Sequence, residues 1–521
     1  MRSIGLILLA AGSVYAQRFG QPAQPTSFDC AADGTVVNSA TGEPVVRARV
    51  SITAGDYAYS AVTDGSGSWA LTNLACTSAQ MQITRVGFLQ GGATRQADTS
   101  PFRILRLISA SPAHAIRTEL VPQSVAYGKV VDDQGDPVQG VMVSAMSARV
   151  VDGRIRFQPA GSTQTNDLGE YRIASLARGK FVFCARPRPF GAPQPQPQGA
   201  QTMPAESCYP GPIDGGAASA MDLPASREAK VDFTLGQATA VHVRGAVTGL
   251  PEGRGSGIRM IRRGNEIGND VPGNVRDGKF DFLVLPGAYT IAADYFENGA
   301  RLMARVPLEV GGAGIDNLAV HLEPGFTVTG AVHVTSQAGR AAPQQFGMLL
   351  RSSDQTGSAG QLKWDADHTS FSFGEMTAGS YRLEVSPPAP FYVKSATLAG
   401  QDILNNEIQI SQGAGPIDVQ LRDDGGSIEG DATDGNGQPV FSSVMLLRGN
   451  VRVVNLMAQA GHFKAQNVAP GDYTICAWDD QTNVQYADPD WMKRNATGCE
   501  AVSVTAGQSQ QIKLTQQVAP E

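Results

Sequence analysis

One short pattern recurs along this chain and limits what it can fold into. Its fullest form is Gly278-Lys279-Phe280-Asp281-Phe282-Leu283-Val284-Leu285-Pro286-Gly287-Ala288-Tyr289-Thr290-Ile291. Apolar side chains alternate, a Pro-Gly turn follows, and a second alternating run begins. Alternation of period two gives each strand one buried and one wetted face, and the turn joins two such strands. Further copies are Gly169-Glu170-Tyr171-Arg172-Ile173 with Leu176 and Gly179-Lys180-Phe181, Gly461-His462-Phe463-Lys464-Ala465 with Val468 and Gly471-Asp472-Tyr473, and Phe371-Ser372-Phe373 with Met376 and Gly379-Ser380-Tyr381. The first copy, Trp69-Ala70-Leu71 with Leu74, carries Cys76 in place of the turn glycine. The aromatics therefore read as core residues, and glycine supplies backbone freedom at the corner.

Copies stand about 90 to 110 residues apart, beyond the 20 to 50 of solenoid and propeller repeats, so each marks its own globular domain. The 521 residues are too many for one core. With 59 glycines, 31 prolines and 17% charged residues, and no sustained helical period, the chain reads as all-β. We expect a tandem array of five β-sandwiches, transthyretin-like or immunoglobulin-like, over residues 28–120, 121–236, 237–325, 326–424 and 425–521. Short linkers make this array semi-rigid, elongated and monomeric. Residues 187–204, rich in proline, are expected to form a stiff exposed excursion from the second domain.

A net charge of −7 without a basic cluster disfavours nucleic acid and anionic membranes as partners. Arg2, the apolar run 4–11 and the small residues Val14 and Ala16 fit a signal peptide over residues 1–16, followed by a linker over residues 17–27. No later apolar run reaches the ~20 residues of a membrane helix. The expected product is exported: periplasmic, cell-surface-associated or extracellular. Six cysteines in such a chain allow fifteen pairings. Proximity suggests Cys30 with Cys76, Cys184 with Cys208 and Cys476 with Cys499, each bridge contributing roughly 3 to 4 kcal/mol.

The second unit carries Gly128, Val130, Asp132, Gly135, Pro137, Val138, Gly140, Val141 and Val143, then Thr165, Gly169, Tyr171, Leu176, Gly179 and Phe181. This run resembles the carboxypeptidase regulatory-like domain, a small transthyretin-like sandwich also akin to B-type repeats of bacterial adhesins. The first and fifth units are similar with losses, and the third and fourth keep the second half, entered from Gly245-Ala246-Val247 and Gly330-Ala331-Val332. The resemblance implies a non-catalytic module. A zinc peptidase needs imidazole and carboxylate ligands at fixed spacing, whereas His114, His242, His321, His333, His368 and His462 stand isolated. No nucleophile elbow or phosphate loop is present. No cofactor or metal is expected: the Asp-rich turns around Asp132 and Asp434 lack an EF-hand glutamate and are explained by turn chemistry. Lys129 is the one lysine placed for an adhesin-type isopeptide bond, with no nameable partner.

The best candidate for a binding surface is the loop after Cys476. Trp478, Asp480, Tyr486, Asp490 and Trp491 could stack on a sugar face and hydrogen-bond its hydroxyls, making a polysaccharide the alternative partner to another envelope protein. The competing reading, which we prefer, folds these rings down to pack the loop. The chain is thus expected to be no enzyme but a structural, adhesion or binding module at the cell envelope, with carbohydrate binding as the alternative.

Overall fold

The computed structural model of the protein describes residues 27–89, 103–109, 113–187, 201–211, 220–251, 254–263, 270–297, 300–344, 346–352, 360–366, 368–404 and 406–520. The expected signal peptide, most of the following linker and the centre of the proline-rich segment lie outside the described residues. Among the described residues regular structure is strand throughout, save the short helix Pro489–Asn495. Contacts divide the chain into two compact units, residues 1–123 and 124–521.

The first unit is one sandwich. A sheet ordered Ser68–Leu74, Cys30–Asn38, Ala113–Leu120 faces one ordered Tyr57–Val62, Arg49–Ala54, Ser78–Thr84, Arg103–Arg106, with Val36, Val50, Ile52, Trp69 and Leu74 between them. The second unit holds four more pairs of sheets, each around its own core, centred on Phe181, Met260, Phe373 and Ile475. The protein is an all-β tandem of sandwiches. Each interior is filled by side chains of its own sandwich, the motif aromatics among them.

One frame recurs in all of them. The opening strands Cys30–Asn38, Ser124–Asp132, Gln237–Thr248, Phe326–Thr335 and Gly426–Thr433 each pair antiparallel with the motif strand and parallel with a strand that closes the sandwich. On each a glycine stands opposite the motif aromatic: Gly34 and Trp69, Gly128 and Tyr171, Gly245 and Phe280, Gly330 and Phe371, Gly430 and Phe463. A Cβ at any of these glycines would overlap the carbonyl oxygen of the parallel strand, that of Ile116, Val231, Leu318, Ile417 or Ile512. Close backbone approach therefore demands glycine, and the facing ring covers the bare backbone.

Four motif strands then bulge. Asn73, Ser175, Glu375 and Asn467 take φ of +57°, +61°, +57° and +57°, and pairing slips at each just before the buried Leu74, Leu176, Met376 and Val468. An extra residue in one strand re-aims the side chains that follow. The third sandwich lacks it. Its ladder runs unbroken from Val241 opposite Val284 to Ala246 opposite Lys279.

Polar motif residues hold the turns. Thr63 and Thr165 are buried, accept from the amides of Ala48 and Val141 at 2.8 and 3.0 Å, and donate to the carbonyls of Val45 and Val138. Asp64, Asp132, Asn166 and Asp434 each accept two backbone amides of their own turn. Tyr289, Tyr381 and Tyr473 donate their hydroxyls to the carbonyls of Leu285, Thr377 and Ala469, four residues back. These groups satisfy backbone that would otherwise be buried without a partner.

Two contacts depart from a string of independent beads. The end of the proline-rich segment, Gln201–Pro204, is no free excursion: it pairs antiparallel with residues 237–240 at the start of the third sandwich. The second and fifth sandwiches, far apart in sequence, also touch. The long hairpin Met142–Val151 and Arg154–Gln164 projects from the second, and the carbonyl of Gly153 at its tip accepts the amide of Ala487 at 3.1 Å.

Candidate functional site

The fifth sandwich carries the loop singled out from sequence. Strand Gly471–Trp478 leads into it, and Cys476 is joined to Cys499 at its return. The structure likewise joins Cys30 to Cys76 and Cys184 to Cys208. Between the ends of the loop lies a second apolar cluster, on the side of the sheet away from the main core, made of Met445, Leu447, Trp478, Val484, Tyr486 and Trp491.

All three loop aromatics face inward. Trp478 is fully buried, Trp491 and Tyr486 are 6% and 7% exposed, and the two indoles lie 5.8 Å apart at 45°. The Arg452 guanidinium covers the Tyr486 ring at 5.2 Å, and Gly153 packs against its edge. A Cβ on Gly153 would collide with that ring, so the hairpin tip requires glycine there, at φ +73°. Burial pushes the Tyr486 phenol above its ordinary range, with Arg452 opposing. No ring face is left for a sugar to stack on, and the packing alternative describes this loop.

Of the loop's carboxylates, Asp479, Asp480 and Asp488 accept hydrogen bonds. Asp480 accepts the amide and hydroxyl of Thr482 at 2.8 and 2.6 Å, closing a turn. Asp488 caps the helix Pro489–Asn495 through the amides of Asp490 and Trp491. Asp490 sits in the first turn of that helix, where negative charge complements the helix dipole. The helix exists to turn Trp491 down onto Trp478. Asp479 and Gln517 then tie the chain's end to the loop, Gln517 by its amide to the Ala477 carbonyl at 2.9 Å and Asp479 by its carboxylate to the Ala519 amide at 2.9 Å.

In the Asp-rich turns one carboxyl oxygen each of Asp132 and Asp434 accepts two amides of its own turn. Among the described residues, the two groupings with metal-like spacing, Asp29 with Cys30 and Cys76 and Glu206 with Cys184 and Cys208, contain disulfide sulfurs rather than thiolates. Lys129 is exposed on its strand, away from the core where an isopeptide bond would sit. His114, His242 and His333 each pair with one carboxylate on a neighbouring strand, and His462 with two, Glu429 and Asp431. Sequence reasoning missed the Gly153 tip and Arg452. The length of the hairpin over residues 142–164 was the available signal for the first; nothing local marks the second.

Comparison with known proteins adds the following. The model of the carboxypeptidase regulatory-like domain matches residues 32–101, within the first sandwich, although the motif is fullest in the second. No curated protein matches the chain. Among solved structures it is similar to the Bacillus anthracis TIE protein (12% identity, 57% of this chain and 51% of that one, TM-score 0.18). It is also similar to the minor pilin GBS52 of Streptococcus agalactiae (13%, 43% and 100%, TM-score 0.21) and to the RrgB pilus protein of Streptococcus pneumoniae (8%, 77% and 98%, TM-score 0.14). The chain thus spans about half the length of the first of these. Such low scores carry no functional argument.

Proposed function

We propose that the protein is an exported, non-catalytic scaffold whose β-sandwiches serve as a structural, adhesion or binding module at the cell envelope. One observation carries this reading: the polar residues that recur in the motif are consumed by the fold. Thr63 and Thr165 clasp loops, Asp64, Asp132, Asn166 and Asp434 close turns, and the motif tyrosines tie corners. The regulatory-like match supports a module without chemistry of its own, and three bridged cysteine pairs suit an oxidising compartment. Carbohydrate binding through Trp478, Tyr486 and Trp491 is not part of the proposal, because their rings are covered.

The purified full chain, presented with a panel of glycoside, ester and peptide substrates, is expected to turn over none. Hydrolysis that survives purification and disappears in Asp490→Ala would overturn the non-catalytic reading. For location, a fusion to a reporter active only after export is expected to be active; an inactive, stable fusion would contradict it.

A further inference from the structure

The third sandwich leaves open a sheet edge that the fourth covers. In the fourth, Gln361–Trp364 lies along the outer side of the motif strand Ser370–Met376, pairing antiparallel from Gln361 opposite Gly374 to Trp364 opposite Phe371. Leu362 and Trp364 pack on the core, with the Trp364 and Phe371 rings 5.8 Å apart, and the amide of Asp365 donates to the Ser370 carbonyl at 3.0 Å. In the third sandwich the strand at this place in the chain, Asp270–Asn274, pairs with Gly257–Arg262 in the opposite sheet instead. Lys279–Val284 is left at the end of its sheet.

This edge is regular and its polar groups face out. The Val247 amide donates to the Gly278 carbonyl, which fixes the alternation: Phe280, Phe282 and Val284 bond to the neighbouring strand, while Asp281 and Leu283 direct N–H and C=O outward. Among the described residues no strand takes these groups. A bulge commonly blunts such an edge. The other four motif strands have one here and this strand has none.

A groove of about 1190 Å³ borders the strand, lined by Pro272 and Gly273 and by the edges of the buried Phe280 and Phe282. Arg244 on its wall is held by Asp281 and Asp316. At one end the exposed side chains of Arg276 and Lys279 line the groove without an ion-pair partner among the described residues.

We propose that the edge Lys279–Val284 is a docking site for an extended segment of a partner protein, added antiparallel as one more strand. The segment it selects has apolar residues at alternate positions, an aromatic residue facing Phe280, and a carboxylate immediately after it to meet Lys279 and Arg276. The fourth sandwich seats this pattern, Leu362-Lys363-Trp364-Asp365, on its own equivalent edge, with Ser370 in the place of Lys279. The proposal stands on the third sandwich alone and does not depend on the envelope reading.

A fluorescently labelled peptide with the sequence of residues 360–366, blocked at both ends, titrated with the full chain and followed by anisotropy, tests it. Saturable binding is expected, weakened roughly fivefold by Lys279→Glu as a partly exposed charge pair is lost. It is expected to vanish in Leu283→Pro, which removes an outward N–H and spares the inward ladder. Should that variant lose its strand signal in circular dichroism, an asparagine inserted between Phe282 and Leu283 restores the bulged spacing and is expected to abolish binding too. No binding by the wild type, or binding unchanged in the folded edge variant, overturns the proposal. Dimerisation of the wild type in sedimentation, abolished by Leu283→Pro, overturns it in favour of a second copy as the occupant.

Discussion

The third and fourth sandwiches share an opening glycine, a facing phenylalanine and a tyrosine that ties the corner after the turn glycine, yet they finish the same sheet differently. Seven positions separate Phe282 from Tyr289, and eight separate Phe373 from Tyr381. The additional residue is Glu375, held at φ +57°, and the fourth sandwich also lays its preceding strand, Gln361–Trp364, along the edge. The frame is thus fixed by close backbone approach, which tolerates no variation. The edge is fixed by one residue and one loop.

Five measurements break or sharpen this comparison. The largest effect is expected where the two agree. Gly245→Val and Gly330→Val each force a side chain into the parallel strand's carbonyl and should cost more than about 4 kcal/mol, among the severe class of single substitutions. Hydrogen exchange resolved by peptide, followed through a urea series, would read each sandwich separately, as a multidomain chain requires. Retained protection in either variant would show that the shared frame does not need its glycine. Next, reduction should separate this pair from the rest, because the three disulfides lie in the first, second and fifth sandwiches. Dithiothreitol is expected to lower the stability of those three by roughly 3 to 4 kcal/mol each and to leave the third and fourth unchanged.

Deleting Glu375 converts the fourth motif strand to the third's spacing. It should cost about 2 to 3 kcal/mol, because Met376, now fully buried, is turned to the wrong face. A neutral deletion would mean that the bulge is not what aims Met376. Smaller losses, about 1 kcal/mol for Tyr289→Phe and somewhat more for Tyr381→Phe, are expected, because the first removes a hydroxyl bond to the Leu285 carbonyl and the second bonds to both the carbonyl and the hydroxyl of Thr377. The second sandwich, with Phe181 at that position, already does without it.

The smallest effect is one of pH and is read at an ion pair of the third sandwich. Burial by itself would raise the Asp294 carboxyl, but Arg305, with two contacts of 3.1 Å, and Arg301 more than offset this and hold it below its ordinary value of 3.8. A depressed folded pKa adds stability that is present above the ordinary value and lost as pH falls through the folded one. Acid titration should therefore weaken the strands Gly287–Glu297 and Ala300–Val310, and Asp294→Asn should flatten that dependence. An unchanged acid slope in the variant would show that the ion pair contributes nothing there.

Much of the fold was legible because a period-two pattern can bury only one face. Phe280 and Phe282, or Phe371 and Phe373, had to point into a core, and the copies marked where each core lies. Asp132 and Thr165 were readable as turn residues, though the clasp between Thr165 and two backbone groups of another loop was not. The candidate site fared worse. A loop holding two tryptophans, a tyrosine and several carboxylates could be read as a platform or, as preferred above, as a small core, since composition does not say which way a ring faces. Asp488 capping a seven-residue helix decided it, by swinging Trp491 onto Trp478.

By itself the sequence determined the all-β class, the repetition of the unit and the residues inside each sandwich, because these follow from local alternation and from which backbones can approach closely. Only the tertiary structure decided that Gln201–Pro204 joins the third sandwich, that Gly153 meets Tyr486, and that one motif edge is covered while another is bare. Those outcomes depend on where strands distant in the chain arrive in space. Backbone hydrogen bonds at a sheet edge take whichever strand reaches them, and no periodicity in either partner records the choice.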